Sequence, residues 1–516
     1  MAIVQAAPIS DPSGSAAPGN ASGDGGRSAL ARWMQILDRA IFAALLLFAI
    51  TLPHSIKGAE RSWKLALVLW ILKILVGRLR PNPQPLTVPL LAYVTLSAIS
   101  TSLSPDPFLS WDRMKYVCLF LAGIVVAQNL RRLAQVRWLV VLLVLSGFCA
   151  ALFTGWQYSY GVGVRLVSLP PGCRLFQIGF HPDDVVTSFG GHSVHTQEEL
   201  VSAVQQTTPH AAVAVNYLRG WAVHPDAITA TPEDFLESGL GTTGMKLARG
   251  KPIRAQGTLG HYVVFAEMLM QIGCMAWALM LAAGRRQLRW GLLFAAAFAG
   301  ITITLFATQT RAAAAGLVLG CLLALLLMIR GRMRVIAIAA LVAILAGATW
   351  WIQHTRQIDW LDRSDVGAHF RVLMWEDGIR LVREHPWFGV GMETVRVHYR
   401  EWNIRGFIQY NVQSHFHSNF LQIAVERGIP ALVAWLWFTV AYFVFLFRLV
   451  SRLRGQSRFA CGVAAGVLAA FTAFTFSSFV HYNLGEEPLA MILFFYYGLV
   501  AAMDRMAATP RALDVG

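Results

Sequence analysis

The stretch HFHSNFLQIAVERGIPALVAWLWFTVAYFVFLF (His415–Phe447) changes character halfway along. Its first part carries two histidines, an asparagine, a glutamate and an arginine. Its second part is an unbroken apolar run. A second polar motif, HPWFGVG (His385–Gly391), lies about two dozen residues upstream. Ionisable side chains at a bilayer edge are costly and are usually kept for function. This segment therefore reads as chemistry placed at the mouth of a membrane helix.

The composition agrees. Of 516 residues, 56% are hydrophobic and 14% charged, with a mean hydropathy of +0.52; soluble domains carry roughly a quarter charged residues. Apolar runs near the ~20 residues that cross a bilayer predict about twelve spans. They fall near 36–54, 62–78, 86–104, 115–130, 136–157, 259–283, 289–309, 312–330, 334–352, 428–450, 459–481 and 486–503. The short alternating segments of a barrel are absent. The expected fold is an all-α polytopic membrane protein.

Arginines follow every second span: Arg78 and Arg80, Arg131 and Arg132, Arg285 and Arg286, Arg330 and Arg332, Arg452 and Arg454, Arg505 and Arg511. The positive-inside rule then places both termini in the cytoplasm. The net charge of +15 sits largely in these loops, which argues against nucleic-acid binding. Residues 1–33 read as a disordered cytoplasmic tail without a signal peptide. Spans one to five occupy 34–157, six to nine 259–352 and ten to twelve 428–504, before a tail at 505–516. Five of the six cysteines lie in apolar runs and suggest neither disulfide nor metal.

Two long loops, 158–258 and 353–427, then face the periplasm. Loops of this length are usually functional or independently folded. The first contains FQIGFHPDDVVTSFGGHSVHTQEELVSAVQQTTPHAAVAVNYLRG (Phe176–Gly220), which predicts strand, turn, strand, short helix and strand. About 168–222 resembles a bacterial PDZ domain, with Asp183 where glycine is usual, Gly190 where asparagine is usual, and no clear carboxylate-binding loop. Such a fold would offer a protein partner a sheet edge. The second loop carries an amphipathic helix over Phe370–Leu381, ended by His385-Pro386. Gly389 and Gly391 permit a tight turn or a close backbone approach to a ligand.

Arg254 and Arg311 stand at outer span ends, against the positive-inside trend. Guanidinium groups stay charged and grip phosphate oxygens bidentately, so such a pair suits a diphosphate. His417 lies where loop meets helix, and an imidazole can accept a proton from a hydroxyl near neutral pH. His415 is a second candidate, Asn419 and Glu426 are candidates for orienting neighbours, and Glu267 inside a span needs a partner. Metal-ligand spacing and nucleotide-binding loops are both missing from the chain, so no metal or cofactor is expected.

These motifs together resemble the O-antigen ligase/O-antigen polymerase superfamily. The matching elements are Arg371 with Trp375, His385 to Gly391, His415, His417, Asn419, Leu421 with Gln422, and Glu426, Gly428 and Pro430. RAQGTLGHYVVFAEML (Arg254–Leu269) and TQTRAAAAGL (Thr308–Leu317) extend the likeness over about 250–450. Ser418 departs from it, since many members have His-Asn at His417-Ser418. The resemblance implies an inverting glycan transferase in a bacterial inner membrane, with its active site facing the periplasm. Its donor would be a polyprenyl-diphosphate-linked glycan such as an undecaprenyl diphosphate, held by Arg254, Arg311 and Arg371, and His417 would be the base. The acceptor would be lipid A-core for a ligase. A growing glycan would make the protein a polymerase, and a protein hydroxyl an O-oligosaccharyltransferase. A twelve-span transporter is the non-enzyme alternative; it would bury charges mid-span in two repeated halves, which the sequence does not show.

Overall fold

The computed structural model describes residues 21–508 except 162, 171, 220–225, 242–243, 251–254, 285–286, 330, 333, 337, 340–341, 344–346, 348–365 and 411–414. Arg254 and most of the expected span 334–352 lie outside the described residues. Six helices open the chain: α1 (Ala21–Thr51), α2 (Ile56–Gly77), α3 (Thr87–Ser102), α4 (Pro107–Val117), α5 (Phe120–Asn129) and α6 (Leu133–Tyr160). After the first long loop come α10 (Tyr262–Ala282), α11 (Leu288–Ala307) and α12 (Arg311–Met328). The second loop holds α13 (Val366–Glu384), α14 (Thr394–His398) and α15 (Arg405–Tyr410). Three long helices close the bundle: α16 (Asn419–Leu453), α17 (Arg458–Ser477) and α18 (Glu487–Ala507).

Among the described residues, eight helices are long and apolar enough to cross a membrane. The expected span 115–130 is instead two short helices, α4 and α5, meeting at Cys118-Leu119. Polar Asp112, Arg113 and Lys115 occupy the first of them, so hydropathy alone placed that span's start poorly. Large apolar side chains such as Leu75, Val433, Trp437 and Val440 stay exposed on the outer helices. In a protein of this composition they form the lipid-facing surface.

The centre is α10, buried on nearly every face. It packs against α17, α12 and α11, and α17 packs on α12. Lipid gives helices no hydrophobic drive to associate, so small residues that let backbones approach do much of this work. A Cβ on Gly316 or Gly320 of α12 would lie 3.1 or 2.6 Å from the Ala473 or Ala469 carbonyl of α17. Gly462 and Gly466 of α17 receive Ala282 and Met275 of α10 in the same way.

The first long loop folds as a separate α+β unit with its own aromatic core of Phe180, Phe189 and Phe235. Its elements are β1 (Val164–Ser168), α7 (Arg174–Gln177), β2 (Val185–Phe189), β3 (His192–Ser193), α8 (Gln197–Gln206), β4 (Val213–Leu218), β5 (Asp226–Ala230), α9 (Pro232–Glu237) and β6 (Lys246–Arg249). The antiparallel sheet runs β5-β4-β2-β1-β6, with β3 on β2. The strand expected from Phe176 is replaced by α7, and β1, β5 and β6 lie beyond the expected core. Asp184, expected as a turn residue, is buried and grips Arg219 with both oxygens, at 2.8 and 2.7 Å.

HPWFGVG and the start of α16 form one backbone unit. Val390 and Gly391 donate to the carbonyls of Val425 and Glu426, both at 2.9 Å, and Ile429 donates to Pro386 at 2.8 Å. Ser100 of α3 donates to the Phe388 and Glu426 carbonyls. At the junction Gly428 takes φ 81° and kinks α16 ahead of Pro430. A Cβ there would stand 2.2 Å from the Trp387 carbonyl, and one on Gly389 2.4 Å from that of Val425. The close approach allowed by Gly389 is thus to the chain's own backbone, and that allowed by Gly391 is to the side chains of Ser104 and Ser110. Gly428→Ala should destabilise the protein by roughly 2–4 kcal/mol through backbone strain and this clash, seen as a lower thermal unfolding temperature in detergent.

Candidate active site

The histidine loop is held from three directions. Ser418 caps α16 by accepting from Leu421. Gln422, one turn in, accepts from the Phe416 amide at 2.8 Å, and Trp375 of α13 donates to the Phe416 carbonyl at 3.0 Å. His417 itself has a left-handed backbone, φ 50°. For a residue with a Cβ this costs on the order of 1 kcal/mol or more, a cost often found at functional sites. Its amide donates to His415 Nδ1 at 3.0 Å, and the two rings lie 4.3 Å apart. Phe370 of α13 meets the His417 ring edge-on.

Behind this pair lies a buried polar network contributed by three helices and the turn leading into α18. Glu267 of α10 accepts from Ser477, from His481 Nδ1 at 2.8 Å and from Asn483 at 2.9 Å. Asn483 in turn accepts from Asn419 at 2.5 Å, and Asn419 accepts from the Leu484 amide at 3.0 Å. Glu267 thus has the partners that a carboxylate inside a span requires. Asn419 is wholly buried and bonds Ser478, Asn483 and the Leu484 amide.

Burial holds the loop imidazoles far below the ordinary histidine range. His415 falls to about 3, through desolvation and then the like charges of His481, His261 and Arg371. His417 falls to about 2, through desolvation and then His415, Arg371 and His481. Both rings are therefore neutral at physiological pH. Arg371, His261 and His481 thus lie near enough to act on the pair electrostatically. Glu486, at the N-terminus of α18, is pushed up to about 7 by burial and then by Glu267 and Glu393.

The remaining expected residues divide clearly. Arg311 begins α12. Gly316 touches Met270 and Ala473, and counting about one turn outward from that contact reaches Arg311, Glu267 and Ser477 together. Arg311 therefore stands at the same end of the bundle as the histidines. The N-termini of α10, α12, α16 and α18 gather at this end, where their partial positive charges favour an anion.

Glu426 accepts from Gln422 and from the Glu393 amide and so braces the loop. His385 is exposed at the end of α13, bonded through its amide to Leu381; it is no member of the histidine group. Arg380, the other loop-helix cation, donates to the Trp402 carbonyl and pairs with Glu384. Sequence reading missed His481, Asn483, Glu486, Arg427 and His261. The signal present was the polar run HYN (His481–Asn483), whose first residue the apolar window 459–481 had absorbed.

Residues 294–436 match the family model described as O-antigen ligase. The matched part includes Arg311, Arg371 and the whole histidine loop, and it supports the superfamily resemblance and a ligase- or polymerase-type glycan function. No curated protein matches the chain. Glu267, His481 and Asn483 lie outside the matched residues and complete the site from neighbouring helices.

The neutral imidazoles carry a pH dependence. Unfolded histidines charge below about pH 6.5, while folded His415 and His417 refuse protons until about 3 and about 2. The unfolded state binds more protons in that window, so stability rises with pH through it and falls on acidification. His417→Asn should weaken this acid sensitivity when unfolding temperature is measured between about pH 4 and 7.

Proposed function

We propose that this protein is an inverting glycan transferase of the O-antigen ligase type, with lipid A-core as acceptor. The observation that carries the reading is the His415–His417 pair beside Arg371, inside the segment matching the O-antigen ligase model. On this reading the site faces the periplasm across a bacterial inner membrane. The opposite end, where Arg505 donates to the Leu130 carbonyl and Arg454 to that of Leu327, is the cytoplasmic one.

A polyprenyl-diphosphate-linked glycan lies with its diphosphate against Arg311, Arg371 and Arg254. His417 takes the proton of the acceptor hydroxyl as the oxygen attacks the anomeric carbon from the face opposite the diphosphate. The C–O bond to the diphosphate breaks with its electron pair, and the arginines stabilise the charge that develops. No group in this sequence of events is a metal. A diphosphate brought beside the rings favours their protonated forms. Proton affinity at His417 therefore rises when the donor binds, which ties the base to the loaded state and limits hydrolysis. α13 covers the reacting ends and excludes water.

Ionisable groups of the site gather at one end of the bundle rather than along its middle, which favours an enzyme over a transporter. A polymerase or a protein O-oligosaccharyltransferase would use the same donor chemistry, and the acceptor distinguishes them. On this reading the sheet unit is a PDZ-like module that offers a protein partner its edge.

Purified protein in nanodiscs is given the lipid-diphosphate glycan with lipid A-core, with a second lipid-linked glycan, or with a pilin-like peptide, each with and without chelator. Transfer to lipid A-core, insensitive to chelator, is expected; turnover with one of the other acceptors alone would reassign the class. His417→Ala should lower turnover by about 100-fold or more with the fold intact. Arg311→Gln should raise KM for the donor by roughly tenfold, the loss of one charged phosphate contact. Removing the whole sheet unit, 164–249, should leave transfer to lipid A-core in place, because the unit has its own core.

A further inference from the structure

The buried network fixes where a proton can rest. Its logic starts from two backbone groups whose roles cannot change. The Leu484 amide donates to Asn419 Oδ1, so the Asn419 NH2 must face Asn483 and Ser478. Asn483 therefore presents its oxygen to Asn419 and its NH2 to Glu267 and to the Phe474 carbonyl, at 2.9 and 3.1 Å. The Phe474 carbonyl, an obligatory acceptor, requires the same orientation independently.

Glu267 then receives donors from Asn483, Ser477 and His481. His481 must carry its hydrogen on Nδ1, which leaves Nε2 as the accepting nitrogen. Such assignments follow from the hydrogen-bond network rather than from hydrogen positions. Its ring is 12% exposed, while Glu267 is fully buried.

The other two rings are arranged differently. His415 Nδ1 accepts from the His417 amide, and Arg371 and His481 bear on both rings. Of His415, His417 and His481, only His481 has a hydrogen bond to a carboxylate among the described residues. A cation at position 417 would sit among like charges. A cation at position 481 would sit against Glu267, a carboxylate that also lies within electrostatic reach of Glu486.

We infer that His481, its ring held by Glu267, is the final acceptor of the proton removed from the acceptor hydroxyl, which His417 passes on. The inference rests on the transferase reading. The hydroxyl O–H bond breaks as the new C–O bond forms, and the diphosphate leaves with the old bond's electrons. The His415 ring lies 4.3 Å from that of His417 and 5.6 Å from that of Tyr482, the chain neighbour of His481, and the proton moves from His417 across this cluster to His481 Nε2, the last protein group to hold it before water. Glu267 is a positioning residue: it sets the tautomer and stabilises the imidazolium. Asn419, in the sequence motif, serves this pair through Asn483.

The test uses the full-length protein in nanodiscs with the lipid-linked donor and the acceptor that wild type uses. His481→Ala should lower kcat by about 100-fold or more while KM for the donor stays within about twofold. Added imidazole should restore part of the loss. Glu267→Gln should lower kcat in the same way without imidazole rescue, since the ring is still present. If Glu267→Gln fails to fold, His481→Ala decides alone, its unfolding temperature confirming that the fold is kept. A folded His481→Ala protein with kcat within about threefold of wild type overturns the inference. So does a loss that imidazole leaves unchanged and that appears in donor KM. If wild type transfers no glycan at all, the transferase reading falls and takes this inference with it; if wild type transfers and His417→Ala does not, only the role of His481 is in question.

Discussion

Asn419 is the buried side chain on which the functional end of the molecule turns. It begins α16, takes the Leu484 amide as donor, and gives its own hydrogens to Ser478 and Asn483. Its amide also donates to the Ser478 carbonyl. One small amide thus ties the start of α16 to the end of α17 and to the turn leading into α18. Because no water reaches these groups, each broken bond would leave a buried polar atom uncompensated, at about 1–3 kcal/mol apiece. That penalty makes the arrangement an all-or-none one, and it holds Glu267 and His481 in single orientations.

The site built on this network is unusual in its charge balance. Four histidines, His261, His415, His417 and His481, lie with Arg371, while the acids divide between Glu267, held by three donors, and Glu486, pushed up to about 7. Without a ligand the loop rings are neutral because burial and neighbouring cations disfavour charge. On the proposed reading, a diphosphate beside these rings would raise their basicity only in the loaded state, and the low dielectric that enforces neutrality would also strengthen its attraction.

Legibility in the sequence followed the range of the forces involved. Spans with uniform apolar faces, such as α10, α12 and α17, were readable from composition, since lipid solvates a helix residue by residue. The amphipathic α13 and its end before His385-Pro386 were readable from local periodicity. The span expected at 115–130 failed because α4 and α5 each pack on neighbours, α3 for one and α18 for the other, and need not cross alone. His385 matched a motif yet faces outward, whereas His481 matched none and faces inward. Motif spacing reports which residues lie near in sequence, not which way a helix turns them.

The sequence by itself determined a helical membrane protein, a polar histidine loop at the mouth of a span, and an arginine, Arg311, at the head of another. Those properties follow from hydrophobic transfer and from local backbone preferences, which act over one or two helical turns. Only the tertiary structure decided that Gly389, Gly391 and Gly428 serve a backbone junction, and that Glu267 reaches His481 across 214 positions of chain. Hydrogen bonds between distant segments carry no periodic signature. They exist only after helices pack, when burial makes every donor need an acceptor.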